Sequence, residues 1–161
     1  MFRRFNFEKD LCETLEFVPM PVRRKLDLAG VKLHLNQWQA LSRVERLVIC
    51  HFSVASSEER EVLAAFIREA VKNRTGTELA AIKPESRDDT PGPSQAPPPE
   101  VARLIAELKL PDTRWSLFDP DERFALAKLA RGPADKFMSA WSEFADHKAA
   151  ATDNPGRPVQ R

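Results

Sequence analysis

The chain reads WQALSRVER at residues 38–46 and WSLFDPDER at residues 115–123. Each phrase opens on a tryptophan, carries a large apolar residue three positions on (Leu41, Phe118), then a serine or aspartate (Ser42, Asp119), and closes on Glu-Arg. In the second phrase Asp119 suits a helix N-cap. Pro120 falls at the first helical position, where its missing amide hydrogen costs nothing, and Glu122 is placed to accept from the cap amide. Ser42 and Glu45 repeat the arrangement. Each phrase therefore predicts a short helix carrying the tryptophan, a break, and a second, capped helix.

The residues behind each cap are densely apolar: Leu47, Val48, Ile49, Cys50 and Phe52 in one case, Phe124, Ala125, Leu126, Ala127 and Leu129 in the other. A helix apolar on most of its circumference is buried among others. Leu41 and Phe118 stand where a hydrophobic staple residue belongs. Lys32-Leu33 aligns with Lys109-Leu110 at the same offset of 77, so five of fifteen positions are identical between residues 32–46 and 109–123. A proline-started helix precedes each, over 21–29 and 99–108. The reading is an all-α fold: a compact helical bundle of two similar units, related by internal duplication. One such unit of about 30 residues is too small to bury an adequate core.

Further helices are predicted within 6–16, over 56–74 behind the caps Ser56 and Ser57, and over 134–146. Val62, Leu63, Phe66, Ile67, Ala70 and Val71 mark the apolar face of the second, and Gly76 its end. No segment alternates with period two, so strands are not expected. The stretch PESRDDTPGPSQAPPP at 84–99 contains six prolines and nothing to bury. The domain reading is an N-terminal helical unit over 1–82, a proline-rich linker over 83–98, a C-terminal unit over 99–147 packed on the first, and a disordered tail over 148–161.

Net charge is +1 for the chain, +2 for residues 1–82 (13 Lys/Arg against 11 Asp/Glu) and −2 for residues 100–147 (7 against 9). Neither unit has the positive excess by which a nucleic-acid-binding surface displaces counterions. The longest apolar run, LVIC at 47–50, is far too short to span a bilayer. MFRRFNFEKD at the start carries charge with no apolar stretch after it, unlike a secretory leader. A cytoplasmic location, reduced thiols and no membrane partner are expected.

Residue type and spacing offer little recognisable site chemistry. With five glycines there is no phosphate-binding loop, and neither CxxC nor HExxH occurs. Cys50 and His51 are adjacent, so on a helix they point about 100° apart, a poor start for a tetrahedral site. Cys12 and His34 could join them only through tertiary structure. No catalytic, cofactor-binding or metal-binding residues are assigned. The sharpest charged feature is PMPVRRKLD at 19–27. Two prolines bracket Met20 and fix the entry of a helix, and Arg23, Arg24 and Lys25 follow in a row. Pro19, Met20, Arg23, Arg24, Lys25 and Asp27 are the candidate partner-binding residues, Met20 to cover an apolar patch and the arginines to meet carboxylates.

The chain resembles the nitrate reductase-associated protein family of bacteria. The resemblance is carried by FNFEKDL at 5–11, VPMPVRRKLDLAGVKLHLNQWQALSRVER at 18–46, NRTGT at 73–77, the proline-rich interruption, RWSLFDPDERFALAKLAR at 114–131 and FMSAWSEF at 137–144. It implies a small cytoplasmic accessory protein, associated with an assimilatory nitrate reductase, a molybdenum and iron–sulfur enzyme, and supporting its assembly or activity. No catalytic residues carry over. The leading function is therefore a non-catalytic assembly factor or chaperone, which predicts an exposed apolar or mixed-charge groove. The alternatives are a small thiol- or metal-handling protein using Cys12, Cys50 and His51, and a helical nucleic-acid-binding regulator.

Overall fold

The computed structural model describes residues 2–81, 92 and 95–152, and the chain divides into two units, Met1–Asp89 and Thr90–Arg161. Both are built from helices. In the first, a 3-10 turn at Asn6–Glu8 leads into α1 (Lys9–Thr14), followed by α2 (Met20–Ala29), α3 (Leu35–Ala40), α4 (Arg43–His51) and α5 (Ser57–Thr75). In the second, α6 (Pro99–Glu107), a 3-10 segment at Asp112–Leu117, α7 (Pro120–Leu129) and α8 (Ala134–Thr152) follow in order. Against expectation there is a minimal ladder: β1 (Val31–Lys32) pairs antiparallel with β2 (Ala80–Ala81), Val31 opposite Ala81. Two residues a side need no alternating pattern, so periodicity carries no trace of them.

The helix starts follow from local chemistry. Ser42 Oγ accepts from the Glu45 amide at 3.2 Å, and the Glu45 carboxylate accepts from the Ser42 amide at 2.6 Å. Asp119 and Glu122 make the same reciprocal pair, with the Asp119 amide donating to Glu122 at 2.8 Å. Ser56 and Glu59 cap α5 in the same way. Gly30 and Gly76 end α2 and α5 at φ of 68° and 69°, a left-handed conformation that costs glycine nothing. The staple reading needs correction. Leu41 and Phe118 are buried, but the position each would meet four residues after the cap is Arg46 or Arg123, not an apolar residue. Arg123 is itself buried and donates to the Phe118 carbonyl.

Each unit buries the tryptophan of its phrase. Trp38 is fully buried, and its indole N–H donates to the Leu15 carbonyl at 2.8 Å. Trp115 is 3% exposed and donates to the Gln95 carbonyl at 3.1 Å. Around Trp38 gather Leu15, Val22, Leu26, Leu41, Ile49, Leu63, Ile67 and Val71. In the second unit Phe118 meets Trp141 edge-on at 5.0 Å and Phe144 at 5.9 Å, an aromatic arrangement that adds to plain area burial.

The segments at 112, 120 and 134 each start 77 residues after α3, α4 and α5, and α5 and α8 are both 19 residues long. This is a likeness of element order; it does not establish an internal duplication. It is also incomplete, since the Trp115 segment is a 3-10 helix where that of Trp38 is α.

Three further expectations are corrected. Helix α4 is not buried all round: Val44 is 70% and Val48 39% exposed. Val62 is likewise half-exposed on α5. Residues 148–152, expected in the tail, instead continue α8 to Thr152, and Lys148 Nζ lies 3.3 Å from the buried Glu122 carboxylate. Residues 153–161 lie outside the described residues. Of the linker, 83–91, 93 and 94 also lie outside them. Gln95 is held by the Trp115 indole, so the end of this segment belongs to the second unit.

Candidate functional site

Pro19, the N-cap residue of α2, has no side-chain oxygen with which to cap. The structure supplies the acceptor from Glu8, whose two carboxylate oxygens lie 3.0 and 3.1 Å from the Met20 amide. Glu8 is 5% exposed. A carboxylate at a helix N-terminus gains from the amide hydrogens and from the positive end of the helix dipole. The Phe-x-Phe-Glu and Pro-Met-Pro elements of the sequence are thus two halves of one joint.

The cations after the joint have separate tasks. Arg23 is exposed, yet its Nε donates to the Val18 carbonyl at 3.0 Å. Lys25 Nζ donates to the carbonyls of Cys50 (2.5 Å) and Phe52 (2.7 Å). An ammonium there satisfies carbonyls at the C-terminal end of α4 and opposes the negative end of its dipole. Pro19 is buried, and Met20, Arg24 and Asp27 are half-buried. The run Arg-Arg-Lys therefore fans around α2, and Arg23 and Lys25 meet different carbonyls.

Cys12 and Cys50 are brought into one core cluster. Burial pushes the Cys12 thiol up to about 11, and the Glu8 carboxylate adds to the effect. Burial also pushes Cys50 up to about 11, against the opposing charge of Lys25. Both sulfurs are neutral thiols near pH 7, and neutral thiols are poor nucleophiles and poor ligands. His51 faces the other way: it is exposed, with its ring edge-on to Phe2 at 5.3 Å. His34 is exposed as well. Among the described residues no group of three or more His, Cys, Asp or Glu side chains is arranged to hold a metal ion, and no helix is long and apolar enough to cross a membrane.

The mixed-charge groove that an accessory role predicts has a candidate beside α2, at residues the sequence did not single out. A groove of about 500 Å³ is lined by Leu28 and Ala29 from α2 and by Ser57, Arg60, Glu61, Ala64 and Arg68 from α5. The α5 residues recur at three- and four-residue steps, which puts them on one side of that helix. Sequence spacing could have shown that stripe, but not that the end of α2 forms the opposite wall.

The fold is that of a small all-α protein, with a glutamate-capped helix start and a mixed-charge groove in its first unit. The chain belongs to the conserved nitrate reductase-associated protein family, whose match spans residues 4–144. No curated protein and no solved structure matched the chain.

Proposed function

We propose that this chain is a non-catalytic accessory protein that supports the maturation or activity of a cytoplasmic nitrate reductase by binding it. The family match over residues 4–144 carries the reading. The mixed-charge groove beside α2 supports it, because a docking surface combines apolar area with polar and charged groups around it. The burial and raised pKa of Cys12 and Cys50 weigh against a thiol- or metal-handling role. The near-neutral charge of each unit weighs against a nucleic-acid regulator.

The partner surface in this reading includes the start of α2. Arg23 contributes its outward face to carboxylates of the reductase, and Met20 covers an apolar patch. Lys25 acts indirectly by holding α4 against α2. The test is retention of the host's nitrate reductase on immobilised chain, wild type against Arg23→Glu. Retention by wild type and a faster loss on washing from Arg23→Glu are expected. Failure of wild-type chain to retain the reductase would overturn the reading, and equal retention by both would move the contact away from Arg23.

A further inference from the structure

The groove between α2 and α5 is lined by three charged residues, Arg60, Glu61 and Arg68. Arg68 and Glu61 make no hydrogen bond or ion pair with the described residues. Arg60 is held by its Nε alone, which donates to the Val54 carbonyl at 2.8 Å and fixes the guanidinium beside the groove. The floor is Leu28, Ala29 and Ala64, small or aliphatic, with room for one large apolar side chain. Arg60 and Arg68 are two helical turns apart, about 12 Å along α5.

Two kinds of occupant fit two arginines. A small, multiply charged oxyanion would draw both forks to one point. That is opposed by the 12 Å span and by Glu61 between the arginines. A polypeptide segment suits the geometry better. Its carboxylates can meet Arg60 and Arg68 separately, its backbone or a basic side chain can meet Glu61, and an apolar side chain between them can rest on Ala29 and Ala64. Planar guanidinium forks pair with carboxylates bidentately, which gives such a site orientation as well as attraction.

We propose that this groove is the docking site for a short acidic segment of the partner protein, with an apolar anchor residue flanked by Asp or Glu. The inference rests on the accessory reading and names the kind of segment it would bind.

The experiment uses full-length chain and purified nitrate reductase, with association and dissociation followed by biolayer interferometry at two salt concentrations. The variants are Arg68→Glu and, as a control for general charge, Lys136→Glu on the exposed face of α8. Melting curves confirm that both are folded. Loss of affinity of about tenfold or more for Arg68→Glu, with a weaker salt dependence of its association rate and little change for Lys136→Glu, is the expected result. Wild-type affinity for Arg68→Glu would overturn the groove proposal while leaving the accessory reading standing. Equal losses for both variants would reduce the effect to net charge and also overturn it. No measurable binding by wild-type chain would remove the accessory reading and the groove proposal with it. Competition by inorganic sulfate that abolishes binding to wild type, at an ionic strength where chloride does not, would favour the small-anion occupant and overturn the peptide one.

Discussion

Replacing Trp38 tests the internal structure of the first unit at its centre. The side chain is fully buried, so Trp38→Ala removes a large apolar group and leaves a cavity, at a cost of about 3–5 kcal/mol. That is a large part of the roughly 5–15 kcal/mol available to a domain. Trp38→Phe separates packing from hydrogen bonding. It keeps one aromatic ring but loses the 2.8 Å bond to the Leu15 carbonyl. That carbonyl keeps a second donor, since Arg46 Nη1 reaches it at 2.7 Å, so it is not orphaned. The cost of the lost bond is therefore about 0.5–1.5 kcal/mol, to which a smaller cavity is added. Leu15 itself sits at φ 55°, a left-handed conformation disfavoured for a residue with a Cβ, and the two donors help to hold it there. Urea unfolding followed by near-ultraviolet circular dichroism would rank the variants wild type, Phe, Ala. A Trp38→Ala midpoint close to wild type would refute the placement of Trp38 in the core. A Trp38→Phe variant as damaged as Trp38→Ala would show that the indole bond, not packing, dominates.

Other consequences are equally specific. Lys25→Met keeps the aliphatic stem but removes the cation from the Cys50 and Phe52 carbonyls; a loss of about 1–3 kcal/mol in urea unfolding is expected, and no loss would mean that water replaces the ammonium without cost. Partial burial pushes Glu45 up, but bonds from the Ser42 amide and hydroxyl and from Arg74 outweigh it, so its carboxyl is held below the ordinary range. A group with a depressed folded pKa contributes stability above its unfolded pKa of about 4.3 and loses it as pH falls through the folded value. Stability measured from pH 6 downward should therefore fall less steeply in Glu45→Gln than in wild type, and parallel curves would contradict the linkage. Cys12 and Cys50 should resist a thiol-specific reagent in native protein near pH 7 and react fully in urea, and rapid native labelling of either would contradict its burial.

Most of the helical framework was legible because its signals are local. The capping boxes of α4, α5 and α7 join residues three apart, and Gly30 and Gly76 act on the helix they end. The joints between helices were not legible in the same way. Glu8 reaches the Met20 amide across 12 residues, Trp38 reaches Leu15 across 23, and Lys25 reaches Cys50 across 25. Such bonds depend on packing that no short window records. The row Arg23-Arg24-Lys25 was legible as a charged feature, but not the separate carbonyls that Arg23 and Lys25 reach. Val48 was misjudged for a different reason: apolar density gives the amount of burial a helix could support, not its rotation, and Val44 and Val48, four residues apart, share the side of α4 turned to solvent. The groove needed both α2 and α5 in place before Leu28 and Arg68 could be seen to line one space.

The most direct measurement is made on the enzyme that the family description names. Nitrate reductase would be purified from cells with the gene for this chain deleted, and from the same cells carrying it again, then assayed for molybdenum and iron content and for activity per mole of polypeptide. The account predicts reductase that is deficient in metal content, in activity or in both without the chain, and restored when it returns. Reductase of equal abundance, full metal content and full specific activity in the deleted cells would contradict it.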